Sequence, residues 1–159
     1  TEVVAADGVL PAGSSIKTEQ ISAGEIWDAA TKAVQNYVEC KNYVVYKIDL
    51  TDGAGVSLHQ LDGFVTVTML LPAELTVDEK NTVVVYRLEE DGSLTKCDTV
   101  VADGRVSFAT DHFSTYIFAE QEIEESQSTA WGVTIVVLVV LLGVAVYFFI
   151  WRRRNGIAR

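Results

Sequence analysis

The chain has 159 residues and 17.4 kDa, with 22 acidic against 12 basic residues and a formal charge of −10. That length holds one ordinary domain and an appendage, not two full cores. The acidic balance argues against a phosphate-binding surface and against nucleic acid as a partner. Charge is also unevenly placed: every carboxylate lies between Glu2 and Glu125, and four arginines follow Trp151.

The first strong pattern is helical, over residues 22–38. Ser22 and Glu25 form a capping-box spacing, and Ile26, Ala29, Ala30, Ala33, Val34 and Tyr37 recur at intervals of three and four. A stripe of small alanines predicts close docking of this helix on a sheet. Six strands follow, at 43–50, 64–71, 82–89, 93–101, 105–109 and 114–120, most of them rich in β-branched or aromatic residues. Alternation puts Val44, Tyr46, Ile48 and Leu50 on one face, and Val65, Val67, Met69 and Leu71 on one face of the next strand. Five Asp-Gly pairs, beginning at Asp7, Asp52, Asp62, Asp91 and Asp103, are read as chain reversals, because Asp-Gly suits the positive backbone angles of tight turns. The expected fold of residues 1–120 is therefore mainly β with one helix, in a sandwich-like arrangement.

Residues 121–130 are polar and acidic and read as a short solvated stalk. From Trp131 to Trp151 no charge occurs, and a helix of that length spans the ~30 Å hydrocarbon core of a bilayer. Trp131 and Trp151 stand at the two interfaces, and Arg152, Arg153 and Arg154 follow directly. Cationic flanks stay in the cytoplasm, so the expectation is a single-pass helix with the β-rich domain outside and residues 152–159 as a basic cytoplasmic tail. The expected partner is the lipid bilayer. An outward domain needs an export signal, so a signal peptide and a larger surface region are expected before Thr1, and an extracellular protein or glycan would be met through that region.

Candidate chemistry is sparse. Cys40 and Cys97 are either a disulfide of an exported domain or two separate, partly buried thiols. With two histidines and no Cys-x-x-Cys, ligands for zinc or iron are lacking, and no EF-hand pattern turns the acidic loops into a calcium site, so no cofactor is expected. Trp27, Tyr37, Tyr43, Tyr46 and Tyr86 suit either a glycan- or peptide-binding groove or the core; packing is the plainer reading. No nucleophile-elbow motif is present. His112, Phe113 and Ser114 are the one local pattern with a reaction attached: a serine hydroxyl attacks the preceding carbonyl while the histidine acts as base. The plainer alternative is that Phe113 fills the core and Ser114 opens the last strand.

That tripeptide resembles the self-cleavage site of β-sandwich domains in netrin receptors and death-domain adaptors, which would put a break between Phe113 and Ser114. Over a longer span, DGVLPAG at 7–13, FVTVTMLLPAEL at 64–75 and the stretch 83–120 resemble a β-rich juxtamembrane module of Gram-positive bacterial surface proteins. The resemblance implies an exported, non-catalytic module that presents or spaces an upstream region, and it carries no catalytic residues. Neither Leu10-Pro11 nor Leu71-Pro72 continues into the sortase signal Leu-Pro-x-Thr-Gly, so the apolar helix is expected to be the anchor.

Overall fold

A computed structural model describes residues 1–5 and 9–123. The strands are β1 (Glu2–Ala5), β2 (Ser15–Ile21), β3 (Asn42–Thr51), β4 (Ser57–Leu58), β5 (Gln60–Leu70), β6 (Asn81–Leu88), β7 (Leu94–Lys96), β8 (Thr99–Ala102), β9 (Arg105–His112) and β10 (Thr115–Glu122), with one helix, α1 (Glu25–Tyr37). They form two antiparallel sheets. One has four strands in the order β1-β5-β9-β8, and the other runs β2-β3-β10-β6-β7 with β4 added beside β3.

The predicted alternation is what binds the sheets together. Val44, Ile48 and Leu50 of β3 meet Val65, Val67 and Met69 of β5 in one buried core that also holds Phe108, Phe113, Tyr116 and Phe118. The opposite parity of the larger sheet, Val45 and Ile117, packs against Ala30 and Val34 of α1 in a second cluster. The order of layers is thus small sheet, large sheet, helix. Ten apolar side chains of Val size or larger are essentially removed from water in the two clusters, at about 1.5–3 kcal/mol each, which identifies burial as the main stabilising term.

The helix differs from its predicted form in two ways. Its N-cap is Gly24, with φ of 90° and no side-chain hydrogen bond, so the Ser22–Glu25 capping box is not formed. The predicted stripe is also kept only in part: Ala30, Ala33 and Val34 are buried as expected, but Ile26, Ala29 and Tyr37 are exposed, while Trp27 and Val38 pack inward. Tyr43 of β3 meets this face. Its ring stacks on Trp27 with centroids 5.3 Å apart, and its hydroxyl lies 2.9 Å from Thr31 Oγ1.

Three of the Asp-Gly pairs are reversals, at 52–53, 91–92 and 103–104. The last is a two-residue hairpin loop, with positive φ at both Asp103 and Gly104 and Ala102 paired to Arg105. Asp62–Gly63 is not a turn. It lies within β5, where the register to β9 shifts, and a Cβ on Gly63 would come within 3.2 Å of Val9 Cγ2, so the glycine there permits a close approach. Asp7 lies outside the described residues. The predicted strand 93–101 is two strands: β7 pairs in the large sheet, β8 in the small one, and the chain changes sheets at Cys97–Asp98. Gln121 and Glu122, expected to open the stalk, instead continue β10 opposite Thr82 and Asn81.

Among the described residues no helix is long and apolar enough to cross a membrane. The expected span Trp131–Trp151, its collar of Arg152, Arg153 and Arg154, and most of the stalk lie outside them.

Candidate functional site

The β9–β10 corner carries the His-Phe-Ser pattern. β9 ends at His112 and β10 begins at Thr115, so the tripeptide is the link by which the chain passes from the small sheet to the centre of the large one. Phe113 is 2% exposed in the inter-sheet core, and Ser114 is exposed. Backbone pairing continues through the link: Phe113 N–H donates to the His59 carbonyl and Ile48 N–H donates to the Ser114 carbonyl, both at 2.9 Å. Among the described residues the only non-glycine with positive φ is Asp103, so neither Phe113 nor Ser114 is in the left-handed region.

Around this link lies a polar cluster that the linear pattern does not reveal. Asp111 Oδ1 is 2.7 Å from His112 Nδ1, and Arg87 Nη1 donates to the same oxygen at 3.3 Å. Arg87 turns its Nε and Nη2 to Glu89 Oε1, both at 2.8 Å. The His112 hydrogen bond and the Arg87 charge hold the Asp111 carboxyl below its ordinary range. At Glu89 burial acts upward, but hydrogen bonds from Thr95 and Arg87 leave the group lowered overall.

Inside that charged rim sits a hydroxyl pair. Thr110 Oγ1 accepts from the His112 N–H at 3.0 Å and lies 2.7 Å from Tyr116 Oη, while the Tyr116 hydroxyl donates to the His112 carbonyl. Tyr116 is fully buried, and burial pushes its phenol well above the usual value. Among the described residues no buried side-chain nitrogen or oxygen lacks a partner, as a buried polar group requires.

Chemically, the Asp111–His112 pair orients an imidazole, but no hydroxyl or thiol is hydrogen-bonded to that ring among the described residues. His59 is exposed and contributes its backbone carbonyl to the corner. The two cysteines are free and do not form the candidate disulfide. Cys40 packs in the helix-side cluster and Cys97 against the inter-sheet core, so the large sheet separates them. Burial raises both thiols, Cys97 to about 11, and Cys40 with a further push from Glu120.

The aromatic candidates are structural where they are in contact. Trp27 stacks on Tyr43, Tyr46 meets Phe118 edge-on, and Tyr86 packs in the helix-side cluster; Tyr37 alone is mostly exposed. Among the described residues no cluster of three His, Cys, Asp or Glu side chains forms a metal site. Comparison with protein-family models, with curated proteins and with solved structures finds no match to this chain.

Proposed function

We propose that the β-rich domain is a non-catalytic extracellular module, held at a bilayer by the Trp131–Trp151 run and serving to present or space a surface region upstream of it. The observation that carries this reading is the uncharged 21-residue run itself, closed by tryptophan at both ends and followed at once by Arg152, Arg153 and Arg154. Support comes from the route of the chain. β10, which leads toward that run, is the central strand of the large sheet and is paired on both sides, to β3 and β6. A pull on the C-terminal end would load two ladders of hydrogen bonds at once, which suits an anchored spacer. The acidic surface keeps such a module soluble and clear of anionic envelope polymers.

Protease added to wall-stripped cells that carry the chain tests the reading. The domain is expected to be digested from outside, and the membrane pellet is expected to retain the C-terminal piece after alkaline carbonate washing. Digestion only after lysis, or release of the intact chain by carbonate, overturns the proposal.

A further inference from the structure

Lys41 and Asn81 flank the last residues of β10. Lys41, just before β3, donates its backbone N–H to the Glu120 carbonyl at 2.8 Å, and Asn81, the first residue of β6, is paired with Glu122. Across that strand end the two side chains meet: Lys41 Nζ lies 2.8 Å from Asn81 Oδ1 and 3.0 Å from Glu122 Oε1. Asn81 is 7% exposed, and its Nδ2 donates to both carboxylate oxygens of Asp78, at 3.0 and 3.1 Å. Asp78 is fixed in turn by the backbone N–H groups of Lys80 and Asn81. A carboxylate only accepts and an ammonium only donates, so these partners turn the carbonyl end of the Asn81 amide toward Lys41. A buried carboxamide, an amine and a carboxylate are thus held together by three neighbouring segments of chain.

These are the parts of an amide exchange. We infer that the side chains of Lys41 and Asn81 become joined by an amide bond, with Glu122 as the base and ammonia as the leaving group. Glu122 takes a proton from the Lys41 ammonium, and the lone pair freed on Nζ forms a bond to Asn81 Cγ, which lies one carbonyl bond, about 1.2 Å, beyond the oxygen that Nζ already contacts. A second Nζ proton passes to Nδ2 through solvent, which reaches the half-exposed amine. The Cγ–Nδ2 bond then breaks with its electron pair on nitrogen, and the ammonia leaves with the proton that Glu122 held. One secondary amide, one ammonium ion and a restored carboxylate result, with no oxidant or cofactor consumed. The reaction runs once per chain, so it can be slow, and holding the two groups in contact substitutes for roughly 10⁵ M or more of free amine. Loss of ammonia to dilute solvent makes it irreversible. The bond would staple the segments entering β3 and β6 across β10, the strand that leads toward the Trp131–Trp151 run, but the chemistry does not depend on that run lying in a bilayer.

The intact mass of the full chain, purified in a mild detergent, held in mildly alkaline buffer and then denatured, tests the proposal. The expected mass is one ammonia below that of the sequence, and a peptide map should contain a single joined fragment holding Lys41 and Asn81. Lys41→Arg keeps the charge beside Glu122 and should show the full mass for its sequence, with thermal unfolding to confirm that it folds and that it melts below the joined wild type. Glu122→Gln should form the bond about tenfold more slowly or worse. A wild-type chain of full mass, a map without the joined fragment, or an ammonia loss that persists in Lys41→Arg, as a succinimide at an asparagine would, overturns the cross-link. An unchanged rate in Glu122→Gln overturns the assignment of the base.

Discussion

Thr110 Oγ1 and Tyr116 Oη lie 2.7 Å apart inside the β9–β10 corner, and both reach the backbone of His112. The pair ties the end of the small sheet to the start of the central strand of the large one. Replacing Tyr116 by Phe keeps the ring, which packs on Phe108 with centroids 4.9 Å apart, and removes only the hydroxyl. The Thr110 hydroxyl and the His112 carbonyl then lose a partner, and the expected cost is about 1–3 kcal/mol. Urea unfolding measures it, and a double cycle with Thr110→Val should return a coupling above zero.

The same phenol sets the alkaline limit of the fold. Its pKa is raised in the folded state above the ordinary value of about 10. Above that value the unfolded chain gives up its proton while the folded chain keeps it. Stability is therefore fully present below about pH 10 and falls as pH rises beyond it, and Tyr116→Phe flattens this limb. Asp111 and Glu89 are lowered on folding, so their contribution is present above the ordinary carboxylate range and falls away as pH drops below about 4. Arg87→Met should blunt the acid limb. Unfolding midpoints against pH, taken for wild type and the two variants, check both signs.

Asp103 and Gly104 both have positive φ in the two-residue β8–β9 loop. Asp tolerates that region moderately, but a β-branched residue does not. Gly104→Val should cost about 1–2 kcal/mol, while Asp103→Asn should change stability by less than about 0.5 kcal/mol. Thermal unfolding of both variants makes the comparison.

How much of this was legible in the sequence follows from which forces are local. The alternation in 43–50 and 64–71 placed the right residues in the core, because a period of two leaves no freedom once one face is buried. The mainly β fold with one helix and two facing sheets was legible from the same signal. β2 was not, since SIKTEQI is polar at an edge where only part of each side chain is covered. The split of 93–101 escaped for a different reason: a change of sheet at Cys97–Asp98 leaves the hydrophobic pattern unbroken. Of the helix stripe, Ala30, Ala33 and Val34 were legible, but Trp27 was not, since it stacks on Tyr43, a tertiary contact that capping and spacing rules do not contain. At the corner, the linear motif drew attention to three adjacent residues. Of the groups that complete the cluster, Tyr116 lies only two residues beyond the motif, whereas Arg87 arrives from β6 through its pairing with β10, which no local window can show.

The thiols give an independent check on the layers. Cys40 and Cys97 lie in separate clusters and burial raises both pKa values, so each should react slowly with a disulfide reagent at neutral pH. Two thiols should be counted after denaturation without reductant, and the unfolding midpoint should not move when reductant is added. A count of zero would show a bond between them and would require the two clusters to be rearranged.

Cleavage at Phe113–Ser114 would require the Ser114 hydroxyl to reach the Phe113 carbonyl carbon, pass its proton to a base, and leave an ester that water opens. Hydrogen bonds to His59 and from Ile48 tie down the backbone on both sides of the bond, which restrains the first part, while Asp111 orients the His112 ring. Phe113 accounts for the motif's central residue as core, and Phe113→Ala should cost about 3–5 kcal/mol. Denaturing mass spectrometry of the purified chain is expected to return one intact mass, and Ser114→Ala should differ from it only by the substituted atom. A second species beginning at Ser114, absent from the alanine variant, would establish the serine as a nucleophile and assign His112 a role beyond its bond to Asp111.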